Sequence, residues 1–186
     1  MIHLKSEKDI LELIKKDKWM IRILKTVKEL DLNDWWIGAG FVRNKIFDYL
    51  HGYNKRTKLN DIDIIYFDKD NLDEKCEDEF QRKLENINPK VHWSVTNQAR
   101  MWKLNGSKPY KSAEDCLAHW NETATCIGVK LNYKNHFILT APHGIKDLIN
   151  LTIRLNPLSA HRKKEFELRL REKEWKKKWP KLKIIK

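Results

Sequence analysis

The stretch Trp35–Gly40 (WWIGAG) constrains the fold most, because a short apolar run leads directly into two glycines. After Gly40 the apolar residues recur at helical spacing, and His51-Gly52 marks the end of that helix. A glycine turn lets the backbone approach a phosphate, and a helix N-terminus adds free N–H groups and a positive dipole end. Tight packing of the strand on the helix would explain the glycines equally well. The turn by itself therefore assigns no function.

Two aspartates at the head of the next predicted strand make the turn more informative. Asp61 and Asp63 are two residues apart, so on a strand their side chains share one face. Two carboxylates roughly 6–7 Å apart repel each other unless a cation lies between them. Mg²⁺ takes carboxylate oxygens together with substrate phosphates. A lone acid pair is more often only a solvated strand end, but beside a glycine turn the pair predicts a metal site for Mg²⁺ or Mn²⁺. Gly38, Gly40 and Arg43, one helical turn further on, would then hold phosphate.

This combination resembles the DNA-polymerase-β-like nucleotidyltransferase superfamily. The segments "IGAGFVRNKIF" and "DIDI" are similar to the "GG-x-VRD" form found in tRNA CCA-adding enzymes. Ala39-Gly40 stands where those enzymes have Gly-Gly, and Asn44 stands where they have Asp. "NQARMW", "SAEDCLAHWNETAT", "APHG" and "WKKKWPKL" resemble a bacterial branch of predicted nucleotidyltransferases, and this likeness covers nearly the whole chain.

The resemblance implies metal-dependent transfer of a nucleoside monophosphate from a nucleoside triphosphate to a hydroxyl acceptor. Asp61 and Asp63 would be the catalytic metal ligands, and Gly38, Ala39, Gly40 and Arg43 would bind the nucleotide. The acceptor stays open between an RNA end, a protein hydroxyl and a small molecule. A catalytically inactive nucleotide- or RNA-binding module on the same fold is the alternative.

A third carboxylate on a later strand is usual in this superfamily, and the corresponding strand, residues 91–97, contains no acid. The candidates for the third ligand are Glu122, Glu114 and Asp115. Spacing from Ser112 also fits an ordinary helix cap for Asp115. The absent strand acid supports the non-catalytic alternative.

Two further residues near that strand are candidate nucleotide-binding groups. Asn97 ends the strand and Arg100 follows it, so both could face a phosphate from the strand end. A surface position or an ion pair is the more ordinary role for Arg100.

The order of predicted elements is αβαβαβαββαα, which favours an α/β (α+β) fold with a mixed β-sheet flanked by helices. Helices are predicted over residues 7–30, in one broken or two short pieces, over 143–153 and over 159–178. We expect a polymerase-β-like domain over residues 1–158, including the N-terminal helices, followed by a basic C-terminal helix and tail over 159–186.

The charge is concentrated at the C-terminus. Of the formal net charge of +12, residues 161–186 contribute +8, from twelve Lys and Arg against four Asp and Glu. Such a segment attracts phosphate, although a solvated charged helix has the same composition. The three cysteines form no CxxC pair, and no stretch reaches about 18 apolar residues. We therefore expect a cytoplasmic protein without a membrane partner.

Overall fold

The computed structural model describes residues 3–185 and has a five-stranded mixed sheet at its centre. The sheet contains β1 (Trp36–Gly38), β2 (Ile62–Tyr66), β3 (Trp93–Asn97), β4 (Gly128–Leu131) and β5 (Phe137–Thr140). Their spatial order is β3-β2-β1-β4-β5. Strands β2 and β3 run parallel, and the other neighbouring pairs are antiparallel. The predicted α/β (α+β) fold with a mixed sheet flanked by helices is confirmed.

Two amphipathic helices precede the sheet, as the apolar spacing predicts. Helix α1 (Glu7–Lys15) begins with a capping box between Ser6 and Asp9. Helix α2 (Lys18–Lys28) begins at Asp17, whose side chain accepts a hydrogen bond from the Met20 amide. Both helices bury their apolar faces in the main core.

Helices connect the first strands of the sheet. Helix α3 (Gly40–His51) follows β1 almost directly and ends at Gly52, whose φ of 73° lies in the left-handed region that glycine adopts without strain. Helix α4 (Glu74–Ile87) provides the crossover that the parallel pair β2 and β3 requires. The short helices α5 (Met101–Leu104) and α6 (Ala113–Ala118) follow β3.

The predicted helix over 143–153 is wrong in extent. Helix α7 covers only Lys146–Ile149, and strand β6 (Thr152–Arg154) follows and pairs in parallel with β7 (Lys183–Ile185). Leu151, between them, has a φ of 54° that no helix permits. Because Leu151 is neither glycine nor proline, its residue type does not indicate that the helix ends before it.

The single helix predicted over 159–178 is also wrong. A 3₁₀ segment (Pro157–Arg162) leads into α8 (Lys163–Glu172), and α9 (Trp175–Lys178) follows after Glu174, whose φ is 47°. The break turns Trp175 and Trp179 into the interior, where they are 2% and 1% exposed.

The main hydrophobic core includes side chains from the N-terminal helices, the sheet and the C-terminal segment. Along β2, Ile62 and Ile64 belong to this core, whereas Ile65 packs on the opposite face of the sheet beside Trp36 and Leu117. Asp63 therefore shares the second face with Ile65. The division of the chain at residues 158 and 159 stays a prediction. Within residues 3–185, no helix combines the length and the apolarity needed to cross a membrane.

Candidate active site

A cavity of about 340 Å³ opens on the second face of the sheet, and the acid pair lines it. Asp61 lies directly before β2, and Asp63 is the second residue of that strand. In the parallel register Asp63 is opposite Ser94 of β3. The structure therefore brings the two predicted metal ligands to one cavity.

The pKa of Asp63 responds to its surroundings in the cavity. Burial, and after it repulsion from Asp61, raises the pKa of Asp63 to about 6. The positive charges of Arg43, Lys173 and Arg169 act in the opposite direction but do not offset these effects. A cation bound between the carboxylates would remove the repulsion.

Magnesium fits this donor set. Residues 3–185 contain no group of three or more His, Cys, Asp and Glu side chains arranged to hold a metal ion. Mg²⁺, however, is commonly held by only one or two carboxylates, with waters and substrate phosphates completing its shell. Asp61 and Asp63 would hold the ion.

The glycine turn serves two purposes. Gly38 is buried against Trp120, and a Cβ at Gly38 would lie 2.7 Å from the indole Cη2. Ala39 and Gly40 line the cavity, and Gly38 does not. Ala39 precedes α3 with a φ of 41° and gives the helix no side-chain cap, so the first amides of α3 are available to an anion.

Arg43 lies one turn into α3 and lines the same cavity. Its Nε and Nη2 donate to Asn44 Oδ1 at 3.2 and 2.8 Å, and its guanidinium lies 5.3 Å from the ring centroid of Trp175. Burial lowers the pKa of Arg43 to about 10, although the negative charges of Glu122 and Asp63 favour the protonated form. Arg43 is therefore still cationic at neutral pH, close to the acid pair.

Glu122, a predicted third ligand, is fully buried and does not line the cavity. Its Oε1 accepts from Arg169 Nε at 2.6 Å, its Oε2 accepts from Arg169 Nη2 at 3.1 Å, and Thr125 also donates to it. Burial by itself would lower the pKa of Arg169, because it disfavours the charged form. The hydrogen bond to Glu122 and the negative charge of Glu122 outweigh burial, so the pKa of Arg169 is raised. Glu122 thus positions Arg169, which does line the cavity.

The other two candidates for a third ligand also lie outside the cavity lining. Glu114 accepts a short hydrogen bond from Thr140 Oγ1. Asp115 accepts from the Lys111 amide at 2.9 Å, and its own amide donates to Ser112 Oγ, which is the cap geometry. The structure does not bring either of them to Asp61 and Asp63.

Asn97 and Arg100, predicted to bind nucleotide, have partners elsewhere in the chain. The Asn97 amide side chain donates to the carbonyls of Asp68 and Asn71 and accepts from two backbone amides. Arg100 makes a bidentate ion pair with Glu77 at 2.7 and 2.8 Å. Neither residue lines the cavity.

The C-terminal segment supplies cavity residues that the sequence motifs did not indicate. Residues 162–178 form one wall of the cavity, with the charged side chains of Arg162, Glu165, Arg169, Lys173 and Lys178. In the part of the chain that the structure describes, six cationic and three acidic side chains line the cavity, a balance of +3. The cavity therefore favours an anionic ligand. The concentration of positive charge after residue 161 was the available sign, but charge alone does not locate a side chain.

Comparison with known proteins agrees with this geometry. The profile of a family described as nucleotidyltransferase matches residues 25–184. The chain belongs to the nucleotidyltransferase family. The predicted membership of the nucleotidyltransferase superfamily is thereby confirmed, and so is the prediction of a nucleotidyltransferase enzyme.

Several solved structures have a fold similar to that of this nucleotidyltransferase. A protein whose NMR structure reveals a CCA-adding enzyme head domain is 30% identical, with a TM-score of 0.87, and the match covers 99% of this chain and 98% of that one. The Thermotoga maritima CCA-adding enzyme complexed with tRNA is 19% identical, with a TM-score of 0.59 over 95% of this chain. A CCA-adding enzyme in complex with CTP is 17% identical, with a TM-score of 0.58 over 100% of this chain. The chain spans 42% and 44% of the length of these two enzymes. No curated protein sequence matches the chain significantly.

Proposed function

We propose that this nucleotidyltransferase transfers a nucleoside monophosphate from a nucleoside triphosphate to a hydroxyl acceptor, and that the transfer depends on Mg²⁺ or Mn²⁺ held by Asp61 and Asp63. The observation that carries the proposal is the position of the acid pair. Both carboxylates line one cationic cavity together with the amide-rich start of α3. The metal ion would bind the negative acid pair, and the negative phosphates would bind the cationic side chains of the cavity.

Each wall of the cavity has a separate task. When bound, the divalent ion neutralises charge on the phosphates and the leaving pyrophosphate. Arg43, Arg169 and Lys173 bind and orient the phosphate oxygens, with Glu122 fixing the direction of Arg169. The hydroxyl oxygen forms a bond to the α-phosphorus as the bond from that phosphorus to the bridging oxygen breaks. Pyrophosphate leaves, and the hydroxyl proton passes to water. The contribution of the protein is positioning and charge neutralisation.

The structures of related folds support a nucleotide and an RNA acceptor as substrates to test. One CCA-adding enzyme of this fold is complexed with CTP and another with tRNA. The acceptor classes for the assay are an RNA end, a protein hydroxyl and a small molecule.

A second candidate is a nucleotide- or RNA-binding module without catalysis. It is favoured by the strand beside Asp63, because residues 91–97 contain no acid that could serve as a third carboxylate.

A transfer assay separates the two. The protein is incubated with each labelled triphosphate, with Mg²⁺ or Mn²⁺, and with total RNA or lysate, beside Asp61→Asn and Asp63→Asn. Label transfer that both substitutions abolish supports the enzyme. Binding without transfer supports the module, and transfer that survives both substitutions refutes the assigned site.

A further inference from the structure

Asn121 has a buried amide without a partner at the edge of the cavity. The residue is 3% exposed, and among residues 3–185 neither its Oδ1 nor its Nδ2 finds a hydrogen-bond partner. Asn121 is one of the residues that line the cavity. Its backbone is fixed, because the Asn121 carbonyl accepts from the Asn156 amide at 2.8 Å and the Asn156 side chain donates to the carbonyls of Ala118 and Trp120. The backbone at Asn121 is therefore held in place, while both polar atoms of the side chain are unused.

The chemistry of an amide restricts the ligand it would meet. Buried polar groups without partners are rare because they destabilise the fold, and each one needs an explanation. The carboxamide offers an acceptor oxygen and two donor hydrogens. A phosphate only accepts hydrogen bonds, so it would leave the Asn121 oxygen unpaired. The matching group must both donate and accept, as the edge of a nucleobase does and as the ribose hydroxyls do.

The neighbour of Asn121 adds a flat apolar surface. Trp120 lines the same cavity, and its ring occupies the space beside Gly38 that a Cβ would fill. An indole face suits a stacked base. The cationic side chains Arg43, Arg169 and Lys173 suit phosphates, whereas Trp120 and Asn121 belong to the uncharged part of the wall.

We propose that Asn121 recognises the nucleoside part of the triphosphate by hydrogen-bonding a donor and an acceptor of the base edge or of the ribose hydroxyls, beside Trp120. This inference rests on the proposed function, in which the cavity binds a nucleoside triphosphate. It assigns Asn121 to substrate selection.

The test compares two ligands that share the phosphates and differ in the nucleoside. Calorimetry with Mg²⁺ measures the Kd of inorganic tripolyphosphate and of ATP, CTP, GTP and UTP for the wild-type chain, Asn121→Ala and Asn121→Leu. We expect both substitutions to weaken the preferred nucleotide about tenfold, the value of one or two lost hydrogen bonds, and to leave tripolyphosphate unchanged. Arg169→Ala should weaken both ligands. Removing an unpartnered amide should not lower the melting temperature, and Asn121→Leu keeps the side-chain volume.

Further arms identify the recognised group. If Asn121 reads the base, Asn121→Asp changes the order of preference among the four nucleotides. If it reads the ribose, the wild-type chain prefers ribonucleotides to 2′-deoxynucleotides, and Asn121→Ala loses that preference. Equal nucleotide affinity of the wild-type chain and both variants overturns the inference alone. Failure of the wild-type chain to bind either nucleotide or tripolyphosphate overturns the proposed function and the inference together.

Discussion

Asp63→Asn should make the metal-free protein more stable at pH 8, although it removes a proposed catalytic group. The pKa of Asp63 is raised from 3.8 to about 6 by burial and by the charge of Asp61. Between these two values the folded chain holds more protons than the unfolded chain, so the free energy of unfolding falls as pH rises through this window and is level above it. A shift of about 2 units corresponds to about 3 kcal/mol at most.

The assay is urea unfolding in EDTA at pH 4 and pH 8. We expect Asp63→Asn to gain about 2–3 kcal/mol over the wild-type chain at pH 8 and much less at pH 4. The matched control is Asp70→Asn, at an exposed aspartate, which should change stability by less than about 0.5 kcal/mol at either pH. A variant less stable than the wild-type chain at pH 8, or a difference that does not depend on pH, would refute the reasoning.

Three substitutions test the framework around the site. Gly38→Ala should lower the free energy of unfolding by about 1–3 kcal/mol in urea, because the new methyl group meets an indole ring; no loss would contradict this packing. Glu122→Gln should lower the free energy of unfolding by about 2 kcal/mol and raise the KM for the triphosphate, because Arg169 loses its buried partner while remaining partly exposed. An unchanged KM would show that Glu122 does not position Arg169. Trp179→Phe should cost about 1–2 kcal/mol in thermal unfolding, since its Nε1 donates to buried Asp48 at 2.8 Å; an unchanged melting temperature would show that this bond contributes nothing.

Local patterns were sufficient for the parts of the site that lie close together in sequence. The i, i+2 spacing of Asp61 and Asp63 puts both carboxylates in one cavity, and the turn at Ala39 and Gly40 brings α3 to the same place. Asn97 lies near in sequence as well, but its amide makes four hydrogen bonds to the backbone of three residues, which only the folded chain reveals.

The remaining site residues depend on tertiary packing. Arg169 reaches the cavity because it pairs with Glu122, 47 positions earlier. The left-handed backbone at Leu151 and Glu174 ends two predicted helices without glycine or proline, so neither break could be read from residue type. Asn121 became a candidate only because its buried amide has no partner among residues 3–185.

A crystal structure with Mn²⁺ and a non-hydrolysable triphosphate analogue tests the central claim most directly. Anomalous scattering distinguishes manganese from water and from lighter ions. The account predicts a peak bonded to the carboxylates of Asp61 and Asp63 and to phosphate oxygens, with the triphosphate at the start of α3. Manganese bound away from Asp61 and Asp63, or a triphosphate outside this cavity, would contradict it.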